Sequence, residues 1–175
     1  MTKRARRWII LCASISFLMG LFTQYVNVYY HTDLDVLDTY NAISVDRDIQ
    51  EGMITYGNKK SKIGIIFYPG GKVEYTAYEP LMKKLADKGF FCVLLEMPYN
   101  LAVFGIDSAD GVQEMYPKVS KWFLMGHSLG GSMAGTYLVD NYRDYDGKLT
   151  LYFSYLVLLS TLSSLPYIDI ISKSV

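Results

Sequence analysis

The chain has 175 residues, 51% of them hydrophobic and 15% aromatic, enough to bury the core of one domain with attachments and too apolar for a disordered segment. Seventeen basic side chains balance seventeen acidic ones, but Lys3, Arg4, Arg6 and Arg7 stand together ahead of any acid, and setting those four aside leaves 13 against 17, a net charge of −4. A mildly acidic body excludes the electrostatic footprint of a nucleic-acid binder, and two cysteines with no zinc-type spacing exclude a disulfide framework or structural metal, so no metal and no cofactor is expected.

In chain order, the basic head (residues 1–7) runs into an uncharged stretch from Trp8 to Tyr30. A helix crossing the hydrocarbon core takes about 20 residues, and Trp8, Tyr25, Tyr29 and Tyr30 stand where interfacial aromatics do. Residues 8–30 therefore read as a transmembrane anchor, with the lipid bilayer as a partner. The four cations predict a cytoplasmic N-terminus and an extracytoplasmic body at the cell membrane. A cleaved signal peptide and a core helix compete with this reading. Against them, no small-x-small site follows the apolar core, and a core helix has no use for flanking cations.

Residues 31–50 carry Asp33, Asp35, Asp38, Asp46 and Asp48 and read as a linker with room for one edge strand. Residues 51–175 read as the domain. "GMITYGN" predicts a short strand closed by a turn. "KIGIIFYPGG" is a near-continuous apolar run stopped by Pro-Gly-Gly, as in a strand buried on both faces of a parallel sheet. In the helix that follows, Leu81, Met82 and Leu85 share a face, the lysines are expected to face out, and Gly89 is a natural stop. "FFCVLLEMP" predicts the next buried strand, "GIDSADGVQEMYP" a short helix, "KWFLMG" a third buried strand and "LGGSMAGTYLVDNYRD" another helix. "YLVLLS", residues 155–160, would be a fourth. Strands alternating with helices predict a parallel sheet with helices on its faces, the strand from Lys121 beside that from Ile63. Ligands in such sheets bind beyond the carboxyl ends of the strands.

Two motifs fall there. Gly126-His127-Ser128-Leu129-Gly130 is a G-x-S-x-G sequence between a predicted strand and a predicted helix. It places a serine on a sharp, strained turn whose flanking backbones need small residues. The helix after it offers free N–H groups to negative charge. "FYPGGK" ends an earlier strand, and acyl transfer requires backbone donors for the oxyanion of its tetrahedral intermediate. The N–H groups of Leu129 and Gly71 are the candidates, with Gly70 allowing close approach.

"YPGGKVEYTAY", "MPYNLAVFGI" and "GHSLGG", agreeing in order and spacing over residues 51–146, resemble the α/β-hydrolase superfamily. They are most similar to a small, membrane-anchored bacterial branch grouped with dienelactone-hydrolase-like proteins. The resemblance implies an α/β fold with a mostly parallel sheet and flanking helices. It also implies a serine hydrolase acting on a small-molecule acyl substrate, with Ser128 as nucleophile, Gly71 and Leu129 as oxyanion donors, and Gly126, His127 and Gly130 supporting the elbow.

In this fold the triad runs Ser, then Asp or Glu, then His. Only 47 residues follow Ser128, and the two histidines, His31 and His127, do not come after it. His127 is expected to point away from its neighbour, and His31 precedes the domain. Asp140, Asp144 and Asp146 read as solvated and Asp169 as a loop residue. The tail from Gly147 departs from the family pattern, so the C-terminal strands are expected to be missing and the domain incomplete. The expectation is a membrane-anchored serine hydrolase impaired by the absence of its acid and histidine. A non-catalytic α/β-hydrolase-like binding protein or a truncated fragment is the alternative.

Overall fold

The computed structural model describes residues 2–141, Tyr145 and the backbone of 151–153. Helix α1 spans Lys3–Asn27, opened by Thr2, whose hydroxyl accepts from the Ala5 N–H. At about 1.5 Å per residue it measures roughly 38 Å, more than the ~30 Å of a hydrocarbon core. Among the described residues it alone is long and apolar enough to cross a membrane. Its side chains lie exposed along nearly its whole length; Val26, near its end, is the buried one.

The acidic stretch after it is more structured than a linker. It holds α2 (Leu34–Thr39) and the edge strand β1 (Arg47–Gln50), which turns through Gly52 (φ 75°) into β2 (Met53–Tyr56). Strands β3 (Ile63–Tyr68), β4 (Phe91–Leu95) and β5 (Lys121–His127) follow, with α3 (Glu79–Asp87) between β3 and β4. Helix α4 (Val112–Met115) comes before β5, and α5 (Leu129–Asp140) after it. Strand β6 (Leu151–Phe153) closes the described chain.

The sheet order is β1-β2-β4-β3-β5-β6. The pairs β3–β4, β3–β5 and β5–β6 are parallel, and β1–β2 and β2–β4 antiparallel. The mostly parallel, open α/β sheet is the expected one, and Ile63 pairs with Lys121 as expected. The added strand falls at Leu151–Phe153, inside the segment whose sequence had no place in the family pattern. Residues 155–160 lie outside the described residues, as do Asp144, Asp146 and Asp169.

Alternation along each strand feeds two cores. Ile66, Tyr68, Val93 and Leu124 face the α5 side with Ala134 and Tyr137. Ile65, Phe67, Cys92 and Leu94 face α3 with Met82 and Leu85. Both faces are covered, which is why these strands are continuous apolar runs. Gly64 interrupts one because Trp122 packs across it: a Cβ there would lie 2.4 Å from the indole.

One expectation fails on α3. Lys83 does not face out; it is buried, and its ammonium donates to the Asn41 side-chain carbonyl at 3.1 Å. The residues around α2 fold over α3 and cover the lysine stem, a packing between segments 42 residues apart that helical periodicity cannot register. Nearby, Arg47 from the edge strand makes a two-point ion pair with the buried carboxylate of Glu79, at 2.8 and 3.0 Å. A charge-assisted fork of this kind meets the acceptor needs of a carboxylate removed from water.

Candidate active site

The site is built where β3 and β5, adjacent and parallel, both end. Strand β5 stops at His127, and α5 starts at Leu129. Ser128 alone makes the turn, with φ 50° and ψ −120°. For a residue with a Cβ this is a sparsely populated region, costing of order 1–3 kcal/mol, sustained only when the surroundings over-determine it.

The surroundings do so through close backbone packing. A Cβ on Gly126 would lie 2.6 Å from the Gly131 nitrogen, and one on Gly130 would lie 2.2 Å from the carbonyl oxygens of both Tyr68 and Pro69. The first turn of α5 is thus pressed onto β5 and onto the end of β3 at once. Ser128 is exposed between half-buried neighbours, His127 and Leu129, and, although serine is a favoured N-cap, its hydroxyl does not cap α5.

The loop after β3 closes over this turn. Gly71 packs on Leu129: a Cβ there would lie 2.9 Å from the leucine Cδ2. Among the described residues the backbone N–H of Gly71 donates no hydrogen bond, and neither does that of Leu129, the first residue of its helix. The two expected oxyanion donors are therefore neighbours, both with an N–H to offer.

Three contacts fix the loop. The Gly70 N–H donates to the Tyr78 hydroxyl at 3.1 Å, and that hydroxyl is 2.8 Å from His127 Nδ1. The Lys72 N–H donates to the Asn100 carbonyl at 2.7 Å, with Lys72 held at φ 59°. Burial pushes the Tyr78 phenol above its ordinary value, so it stays neutral. The Gly70 N–H occupies one lone pair of the phenol oxygen, and the phenol's own proton is available to His127 Nδ1.

His127 thus faces Tyr78 and Gly70, and a Cβ on Gly70 would fall 2.6 Å from its Nδ1. His31 sits apart, its ring 4.3 Å from that of Tyr29 and its Nδ1 3.7 Å from the Glu74 carboxylate. No cluster of three or more His, Cys, Asp or Glu side chains suited to a metal ion occurs among the described residues.

Sequence reasoning reached Ser128, Leu129, Gly71, Gly126, Gly130 and His127, and the structure brings all six together. It did not reach Tyr78, one tyrosine among sixteen with no spacing to mark it. Nor did it reach Leu101, whose Cδ2 would be 3.7 Å from a Cβ on Gly71. The tandem left-handed residues Tyr99 (φ 56°) and Asn100 (φ 54°) were also missed; the asparagine in "MPYN" was the available hint, since Asn tolerates this region.

Comparison with solved structures finds similarity at low identity. A thioesterase domain from the curacin biosynthetic pathway is 13% identical (TM-score 0.44; 58% of this chain, 42% of that one). A Pyrobaculum calidifontis esterase is 18% identical (TM-score 0.45; 58% and 41%). Brefeldin A esterase, a bacterial homologue of human hormone sensitive lipase, is 14% identical (TM-score 0.41; 58% and 35%). The chain thus spans about two fifths of the length of these structures or less. No curated protein matches it. The family model described as "Alpha/beta hydrolase family" matches residues 64–165, more than half of the chain and all of the sheet from β3 onward together with the turn at Ser128. This chain belongs to the alpha/beta hydrolase family.

Proposed function

We propose that this chain is a membrane-anchored serine hydrolase that acts on ester or related acyl bonds of a small-molecule substrate through Ser128. The observation that carries the reading is the junction of Ser128, on its strained strand-to-helix turn, with the N–H groups of Gly71 and Leu129, which are unengaged among the described residues. In the reaction, Ser128 Oγ attacks the acyl carbon and the carbonyl π electrons move onto oxygen. The Gly71 and Leu129 N–H groups hold that oxyanion, helped by the positive end of α5. The proton lost from Ser128 Oγ passes through solvent water to the leaving oxygen as the intermediate collapses, so the alcohol departs and an acyl-serine remains, which water hydrolyses to the free acid and the serine hydroxyl. Gly126 and Gly130 permit the turn, and His127 supports it through Tyr78.

The 175 residues hold two histidines, and the contacts of both lead away from a role as base to Ser128. On this reading the chain carries nucleophile and oxyanion site without the triad acid and histidine, and its rate is impaired. Loss of one triad member leaves about 10³–10⁴-fold over water in well-studied cases. The engagement of both histidines equally favours a second reading, a non-catalytic α/β-hydrolase-like binding protein. The motifs favour the dienelactone-hydrolase-like branch, and the four leading cations favour a cytoplasmic N-terminus with the body outside the cell membrane; protease added to intact cells then cleaves the body.

Labelling of Ser128 by a fluorophosphonate tests the nucleophile, and its absence on Ser128 overturns it; turnover of p-nitrophenyl acetate by the chain and by Ser128→Ala tests the missing base. Low turnover, nearly the same in both, is expected of a serine with no base. Robust turnover that disappears in Ser128→Ala keeps the nucleophile and overturns the missing base.

A further inference from the structure

The end of α1 lies on the body. Val26 is buried, the Phe22 ring meets Tyr99 and Phe104 edge-on at centroid distances of 6.0 and 6.1 Å, and the Lys72 ammonium stands 4.2 Å from the centroid of Tyr25. Just beyond the helix, the Tyr30 N–H donates to the Lys72 carbonyl and the Glu74 N–H to the Tyr30 carbonyl, at 2.8 and 2.9 Å. The Thr32 N–H donates to the Glu74 carboxylate at 2.8 Å. The span is thereby fastened to the loop that carries Gly71.

The same loop is tied on its other side to residues 99–104, through the bond from the Lys72 N–H to the Asn100 carbonyl and through Leu101, which borders Gly71. Those residues expose large apolar side chains: Tyr99 is 60%, Val103 42% and Phe104 50% accessible. They stand beside Phe22, which lies five residues, about 7–8 Å of rise, inside the end of a helix fit to occupy hydrocarbon. Tyr25 carries Lys72 at its face, as a cation does at the headgroup level with its stem along apolar surface. Whatever depth α1 gives Phe22 in a bilayer, it gives Tyr99 and Phe104 as well.

We propose that Tyr99, Val103 and Phe104, with Phe22, form a rim seated in the leaflet that the C-terminal end of α1 enters, and that the Ser128 site takes acyl-ester lipids from that leaflet. Leu101, buried and between Tyr99 and Val103 in sequence, borders Gly71 together with Leu129, so the residues between rim and serine are apolar and suit a chain of methylenes with an ester at its head. The lipid as substrate rests on the serine-hydrolase reading; the seating of the rim does not.

The test uses the full chain in phosphatidylcholine vesicles. Bimane is attached to Phe104→Cys, or to Val103→Cys should the first fail to fold, in a Cys12→Ser background; Cys92 is buried and escapes labelling. Val139→Cys, exposed near the far end of α5, about 15 Å of helix from Ser128, is the control. Doxyl-labelled phosphatidylcholine is expected to quench the rim label several-fold more than iodide does, with the order reversed at residue 139. Iodide reaching both labels equally overturns the seating. In the same vesicles, phosphatidylcholine with a diazirine on its acyl chain is expected to crosslink to residues 99–104 and Leu129, in the wild type and in Ser128→Ala alike. Crosslinks confined to α1 overturn lipid entry. Because neither readout needs turnover, failure of the nucleophile assignment leaves both standing.

Discussion

The close approach at Gly130 makes the sharpest structural prediction. A Cβ at that position falls 2.2 Å from the carbonyl oxygens of Tyr68 and Pro69, where ordinary contact begins at 3.4 Å, so Gly130→Ala asks for a withdrawal of about 1.2 Å. Neither oxygen belongs to a flexible side chain. Tyr68 is the last residue of β3, paired to Gly126 of β5, and is fully buried. Overpacking in a core costs about 1–3 kcal/mol and occasionally more, and two rigid obstacles put this case at the top, about 3 kcal/mol. At roughly 3 °C per kcal/mol for a chain of this size, Tm falls by about 10 °C. Thermal melting by circular dichroism in detergent, repeated at two scan rates, reads the shift. Ser132→Ala, exposed on the same helix, is the control and stays within about 0.5 kcal/mol. If Gly130→Ala melts within about 2 °C of the wild type, α5 does not press on the end of β3 as described and the geometry of the Ser128 turn is wrong.

Three further outcomes follow from the same contacts. Ser128→Gly relieves a positive φ and is expected to stabilise the chain by up to about 1 kcal/mol; a lower denaturation midpoint than wild type contradicts a strained turn. Tyr78→Phe removes the acceptor of the Gly70 N–H and the partner of His127 Nδ1, at a cost of about 1–2 kcal/mol, and frees the glycine loop, so amide exchange at Gly70 and Gly71 rises; unchanged exchange shows that the loop is held otherwise. The Thr32 N–H bond holds the Glu74 carboxyl below its ordinary value of 4.5. A depressed carboxylate contributes its stabilisation above the ordinary value and loses it as pH falls through the folded one. Protection of the Thr32 amide, corrected for intrinsic exchange, is therefore expected to hold at neutral pH and to be lost at some pH below 4.5, and protection that Glu74→Ala leaves unchanged at neutral pH refutes the link.

What the sequence made legible was whatever has a local signature. Strands β3, β4 and β5 are buried on both faces and read as unbroken apolar runs. The turn at Ser128 demands glycine two residues to each side, and the Pro-Gly-Gly stop marks where β3 ends beside it. Contacts between distant segments were invisible. Lys83 is buried because residues around α2 fold over it, Tyr78 matters because its hydroxyl reaches Gly70 and His127, and residues 31–50 are held to the body by Glu74 and Glu79 rather than strung between anchor and domain. Tyr99 and Phe104 stood within the "MPYNLAVFGI" segment with no role of their own; only the end of α1 lying against them gives their exposure a direction.

The proposal that Ser128 is a nucleophile beside the Gly71 and Leu129 donors, with no base supplied by the described residues, is tested most directly by supplying one. The chain is treated with a fluorophosphonate at increasing imidazole, and the adduct is located by tandem mass spectrometry. Small exogenous bases deprotonate an oriented hydroxyl in place of a missing side chain. The expected outcome is slow labelling without imidazole, a several-fold rise with it, the adduct on Ser128, and none at that peptide in Ser128→Ala. An adduct spread over surface serines at a rate indifferent to imidazole, with Ser128 unlabelled, contradicts it.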